Sequence, residues 1–104
     1  MRHELKTWPD AFNAIKNEVK RFEWRRNDRK FRIADQLLLR EWVPKTCTYT
    51  GHSLLVRVTY IIENGFGMPD GMCCMSIEPA EKFEDIEVGD EVLIVQEEWE
   101  EGAR

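Results

Sequence analysis

Apolar residues recur at Trp8, Phe12, Ile15 and Val19, at spacings of four, three and four, and from Arg21 onward at every second position. The first rhythm is the stripe of an amphipathic helix. Thr7-Trp8-Pro9-Asp10 marks its start: Thr7 supplies a capping hydroxyl, Asp10 reaches back, and Pro9 occupies the first turn, where its missing N–H costs nothing. The helix is predicted to end near Asn17. The second rhythm is that of a half-buried strand, with Phe22 and Trp24 on one face and Arg21, Glu23 and Arg25 on the other.

Further strands are predicted at 3–6, 36–42, 54–62 and 72–77. Turn chemistry separates them at Asn27-Asp28-Arg29, at Ala34-Asp35, through 44–51 and through the Gly-rich 64–71. One more strand candidate, 91–95, follows Val88-Gly89-Asp90, an echo of Ile33-Ala34-Asp35 that reads as shared turn grammar rather than duplication. The fold class expected from this order is α+β and β-rich: a small, closed or nearly closed barrel of five to six strands with one main helix near the N-terminus. A chain of 104 residues holds one domain, assigned to 1–95, with 96–104 as a frayed acidic tail.

The net charge of −5 conceals a segregation. Residues 1–60 carry 13 Lys/Arg against 7 Asp/Glu, and residues 61–104 carry 2 against 13, so the halves stand at +6 and −11. The densest basic stretch, 20–32, holds seven cations, two anions and three aromatics. It is either a solvated face screened by the acidic half or a face that binds anions. No apolar run approaches the ~20 residues of a membrane span and no signal-peptide core follows Met1, so a soluble, cytoplasmic protein is expected. Three cysteines, two of them adjacent, suit a reducing compartment better than a disulfide framework. His3 and His52 have no carboxylate or cysteine at ligand spacing, so neither a metal nor another cofactor is expected. Met68, Met72 and Met75 around Cys73-Cys74 read as soft packing.

Six segments together resemble the DUF3850 family of bacteria and their phages: His3-Glu4-Leu5-Lys6, Lys20-x-x-Glu23-x-Arg25, Arg26-Asn27-Asp28-Arg29, Leu38-Leu39-Arg40-Glu41-Trp42, Tyr49-Thr50-Gly51 and Arg57-Val58-Thr59-Tyr60-Ile61. The resemblance covers about residues 3–78. It implies membership of the ASCH group, whose fold is similar to the PUA RNA-binding barrel. The chain departs from that pattern at two places where the pattern carries glycine, here Glu18 and Ala34. With Glu18 in place of glycine, a glycine-only backbone conformation does not follow there, and the turn geometry before Lys20 stays open.

The resemblance implies a pocket between helix and barrel that receives a nucleobase or nucleotide. Residue chemistry is compatible with this: Glu23 and Arg25 are two apart on one strand face, and Lys20 lies just before that strand. Such a trio can accept from a base amino group through Glu23 and hold phosphate or carbonyl oxygen through Lys20 and Arg25. The competing reading is an ion-pair network that closes one end of the barrel. Arg26 and Arg29 are either phosphate contacts or the decoration of a turn, and Lys6 lies near a ligand if the first strand lines the pocket. Trp24, Phe31 and Trp42 are assigned to the core rather than to base stacking.

The leading expectation is a non-catalytic module that binds RNA or a nucleotide through Lys6, Lys20, Glu23, Arg25, Arg26 and Arg29. A second reading is a small hydrolase of an acylated nucleoside, with Glu23 as general base on water and Lys20 steadying the oxyanion. The ASCH branch with that activity carries a threonine where this chain has Glu23, so its nucleophile is absent. A third reading is a protein partner recruited by the acidic residues of 78–101, including one of phage–host contact.

Overall fold

A computed structural model describes residues 1–80 of the chain. The strand candidate at 91–95 and the tail at 96–104 lie outside the described residues, as does all of the acidic stretch beyond Ala80. The order of elements is β1 (Arg2–Thr7), α1 (Pro9–Lys16), β2 (Phe22–Arg26), β3 (Gln36–Val43), β4 (Thr48–Ile62) and β5 (Met72–Pro79). The strands form one curled, half-barrel sheet in the order β1-β3-β4-β5-β2. β1 runs parallel to β3, and the other pairs are antiparallel.

The closed barrel is therefore corrected to an open one. Among the described residues β1 and β2 form the two edges and share no main-chain ladder. A side chain spans the gap instead: Arg25 on β2 donates from Nη2 to the Lys6 carbonyl of β1 at 2.8 Å. Inside the curl lie Leu5, Phe12, Ile15, Leu37, Leu39, Leu54, Val56, Val58, Met75 and Ile77, with Phe31 from the loop after β2. At about 25 cal/mol per Å² of apolar surface, this cluster is the main source of stability.

Helix α1 follows the predicted stripe for two turns and then leaves it. Phe12 and Ile15 are buried, whereas Val19 is 79% exposed. The chain turns away because Glu18 adopts φ +62°. Val19 N–H donates to the Ala14 carbonyl at 2.8 Å and Glu18 N–H to the Ile15 carbonyl at 3.0 Å, the paired bonds of a Schellman ending. The turn before Lys20, left open by the sequence, thus takes the glycine-type conformation at Glu18: the carbonyls at the helix end gain their donors only if this residue goes left-handed. Ala34 does the same at φ +80° in the turn before β3. Thr7 does not cap the helix; the cap position is Trp8, which makes no side-chain capping bond, and Thr7 is the last residue of β1.

Left-handed backbone costs an L-residue about 1–2 kcal/mol. Glycine relieves that cost but gives back about 0.4–1 kcal/mol through the freer unfolded chain. Glu18→Gly and Ala34→Gly are each expected to stabilise the fold by about 0.5–1 kcal/mol, a rise of several degrees in Tm for a domain of this size. The exposed Glu18–Arg21 pair lost in the first variant, at 3.5 Å, takes little from this gain. Thermal unfolding of the two variants checks the expectation, and an unchanged or lower Tm contradicts it.

The segment 44–51, predicted as a break, is only partly one. Val43 pairs with Thr48 and Trp42 with Tyr49, so β4 begins at Thr48. A register shift between Arg40 and Trp42 and a φ of +99° at Gly51 absorb the irregularity within the ladder.

Candidate functional site

Strand β2 alternates as predicted, but its faces are exchanged. Glu23 and Arg25 are fully buried, while Phe22 and Trp24 are 48% and 38% exposed. Assignment of Trp24 to the core is corrected accordingly. Phe31 is buried as expected, and Trp42 is half-buried, edge-on to Tyr49 at 4.9 Å. The exchange is possible because each charge turned inward meets a partner. Lys20 Nζ donates to Glu23 Oε1 at 2.6 Å, and Arg25 Nε donates to Glu23 Oε2 at 2.8 Å. The Arg25 fork continues to the Lys6 carbonyl at 2.8 Å and to Thr7 Oγ1 at 3.4 Å. Burying ions costs several kcal/mol each unless pairing is this complete.

The trio predicted from spacing is therefore brought together, and its solvent access is confined to one member. The Lys20 side chain is 13% exposed, against 0% for Glu23 and Arg25. Beside Lys20 lies a cleft of about 50 Å³, lined also by Ile15, Glu18 and Arg21. Lys6 meets Arg25 through its main-chain carbonyl, and its ammonium sits over the Trp42 ring, 4.2 Å from the centroid.

Arg26 and Arg29 lie apart from the trio. Arg26 ends β2 on its exposed face. Arg29 belongs to the next loop, which is pinned at both ends. Asn27 N–H donates to the Gly71 carbonyl at 2.8 Å, and Phe31 N–H donates to Asn27 Oδ1 at 3.2 Å. Buried Phe31 then anchors the loop against His3, edge to face at 4.9 Å. So held, Arg29, Lys30 and Arg32 line a cleft of about 440 Å³ with Met1 and Asp35. Its size falls within the ~300–1,000 Å³ usual for ligand sites.

Asp35 closes the floor of this cleft and was legible only as a turn residue. Its Oδ2 accepts from His3 Nε2 at 2.9 Å and from the Arg32 N–H at 3.0 Å, and its Oδ1 accepts from the Met1 amine at 3.1 Å. Burial pushes the carboxyl pKa up, but the bonds from His3, the amine and Arg32 outweigh it and leave Asp35 below its ordinary value of 3.8. His3 and Asp35 are 32 residues apart, and no local pattern announces their contact. Lys30 and Arg32 belong to the basic stretch that the charge pattern does mark.

The thiols are all free. Cys73 faces the core opposite Arg25, and burial pushes its pKa up to about 11, which makes it a packing group rather than a nucleophile. Among the described residues no three His, Cys, Asp or Glu side chains gather as metal ligands, and no helix is long and apolar enough to cross a membrane. Glu78, the first residue of the acidic stretch, is paired with Arg57.

Residues 2–77 match the family described as "Domain of unknown function (DUF3850)". The chain is also 33% identical over 61 residues to the "Uncharacterized 12.9 kDa protein in GpA 3'region" of Escherichia phage P2, across 59% of this chain and 54% of the phage protein. The chain thus spans about half the length of the curated relative it matches.

Proposed function

The chain belongs to the DUF3850 family, and from that premise we propose that it binds RNA or a nucleotide, with the anionic part of the ligand held by Arg29, Lys30 and Arg32. One observation carries the reading: three cations of a pinned loop converge on a cleft large enough for such a ligand. Lys20 offers a second cation at the separate cleft beside the helix end, held there by Glu23, which Arg25 holds in turn. Arg26, at the exposed end of β2, falls between Lys20 and Arg29 along the chain. Residues 1–80 carry 13 Lys/Arg against 10 Asp/Glu, net +3, and residues 81–104 carry 2 against 10, net −8. The acidic stretch then limits indiscriminate binding to polyanions.

Kinship with the ASCH group and the PUA-like barrels is part of the same proposal. It is supported by the positive φ at Glu18, where the ASCH pattern carries glycine. Hydrolysis of an acylated nucleoside is less well supported. A general base must reach the water it activates, and Glu23 is fully buried with both oxygens engaged.

Binding of a labelled single-stranded RNA, followed by fluorescence polarisation against salt, tests the proposal. For three phosphate contacts on a single strand, log K is expected to fall with log salt at a slope of about −2. Removing two of them in an Arg29→Ala, Arg32→Ala double variant should flatten the slope by about 1.4. A flat dependence in the parent chain, or no binding at low salt, contradicts the proposal.

A further inference from the structure

We infer that the outer face of β2 and β5, with the end of β4, is a stacking platform for single-stranded RNA. This rests on the RNA-binding reading above and adds to it the surface that would meet the bases. The exchange of faces on β2 leaves Phe22, Trp24 and Arg26 pointing away from the core. Across the ladder, Phe22 is opposite Ser76, which is opposite Tyr60; Trp24 is opposite Cys74, which is opposite Ile62. Tyr60 is 62% exposed. Three aromatic rings thus stand in two adjacent rows, with the small side chains of Ser76 and Cys74 between them. Such a floor has room for a planar group to lie against a ring.

Within β2 the two rings are two residues apart, about 7 Å. Stacking on aromatics displayed by a sheet is sequence-tolerant, because every base offers a π-face. Charge complementarity selects the occupant. The outward positions of the two rows and of the Arg26–Met72 pair carry no carboxylate. Along β2 the flanking charges are cations: Lys20 Nζ lies 5.0 Å from the Phe22 ring centroid, Arg21 precedes the strand and Arg26 ends it, while Glu78, the next outward position of β5, is neutralised by Arg57. A polyanion with flat apolar bases suits both features. A second copy of the chain would instead set like charges against one another.

The test uses the full chain and a fluorescein-labelled single-stranded RNA octamer, with a duplex of the same length as comparison. Trp24→Ala and Phe22→Ala are each expected to weaken binding of the single strand about 5- to 150-fold. The salt dependence should be unchanged, because no phosphate contact is lost. Trp24→Phe, which keeps a ring, should retain most of the affinity, and the duplex should bind more weakly than the single strand. Both side chains are exposed, so thermal unfolding should show the fold retained.

If Trp24→Ala and Phe22→Ala bind like the parent while Arg29→Ala, Arg32→Ala weakens binding, the platform is wrong and the RNA reading stands. No binding of RNA by the parent chain removes both. A Trp24→Phe loss as large as that of alanine rules out stacking. Sedimentation showing a dimer that Trp24→Ala dissociates, with RNA affinity unaltered, reassigns the face to self-association and overturns the proposal.

Discussion

Glu23→Ala is expected to cost about 3–5 kcal/mol of folding stability, because it leaves Arg25 buried without its carboxylate. Glu23 offers one oxygen to Lys20 and the other to Arg25, and Arg25 has no exposure through which water could replace what is lost. For a small domain whose whole stability is about 5–15 kcal/mol, this brings the protein close to unfolding at room temperature. Arg25→Met alone should also be harmful, since it leaves the buried Glu23 with Lys20 as its one remaining cation and removes the link to β1. The double variant Glu23→Leu, Arg25→Met should recover a large part of the loss, as replacing both members of a buried ion pair by apolar groups is often neutral. Chemical denaturation of the singles and the double closes the cycle. Additive losses would mean that the pair is not energetically coupled.

Asp35→Ala is expected to cost about 2–3 kcal/mol, because it removes a charged acceptor and leaves the buried His3 and the Arg32 N–H without it. The effect has a pH signature. A carboxyl whose folded pKa is depressed contributes stability that is complete above its unfolded value, here 3.8, and is lost as pH falls through the lower folded value. The Tm difference between parent and Asp35→Ala should therefore hold steady near neutral pH and shrink below about pH 4. A difference that persists undiminished to pH 2 would assign the cost to packing rather than to the charge.

The outline of the fold was legible in the sequence because its elements announce themselves locally. The stripe at Phe12 and Ile15 lies on α1, and each of the strands predicted at 3–6, 36–42, 54–62 and 72–77 lies within β1, β3, β4 or β5. Spacing also brought Lys20, Glu23 and Arg25 together, since i and i+2 on a strand share a face whatever that face is. Which face turned inward was not legible. Hydropathy favours burying Phe22 and Trp24, and the outcome depends on Lys6 and Thr7, which meet Arg25 from 19 and 18 residues away. Distance in sequence likewise hid the bond between His3 and Asp35.

The glycine positions show a different limit. Glu18 and Ala34 are residue types that ordinarily avoid positive φ, and composition alone argues against a left-handed turn at either. The requirement comes from the element that adjoins each residue. Beside Glu18 it is a helix whose last carbonyls need donors, and beside Ala34 a strand that must enter its ladder next to β1. Residue preference sets the strain, and the neighbouring hydrogen bonds set the conformation.

A barrel sealed by a main-chain ladder has its circumference fixed, because strand number and stagger are locked together. Here one guanidinium acts as a clasp between the two edges of the curl. The gap between β1 and β2 is set by the reach of a long side chain instead of a ladder's fixed spacing, and a paired change at Glu23 and Arg25 can alter it with every strand pairing left in place. A lineage built on it can adapt its interior without rebuilding its walls.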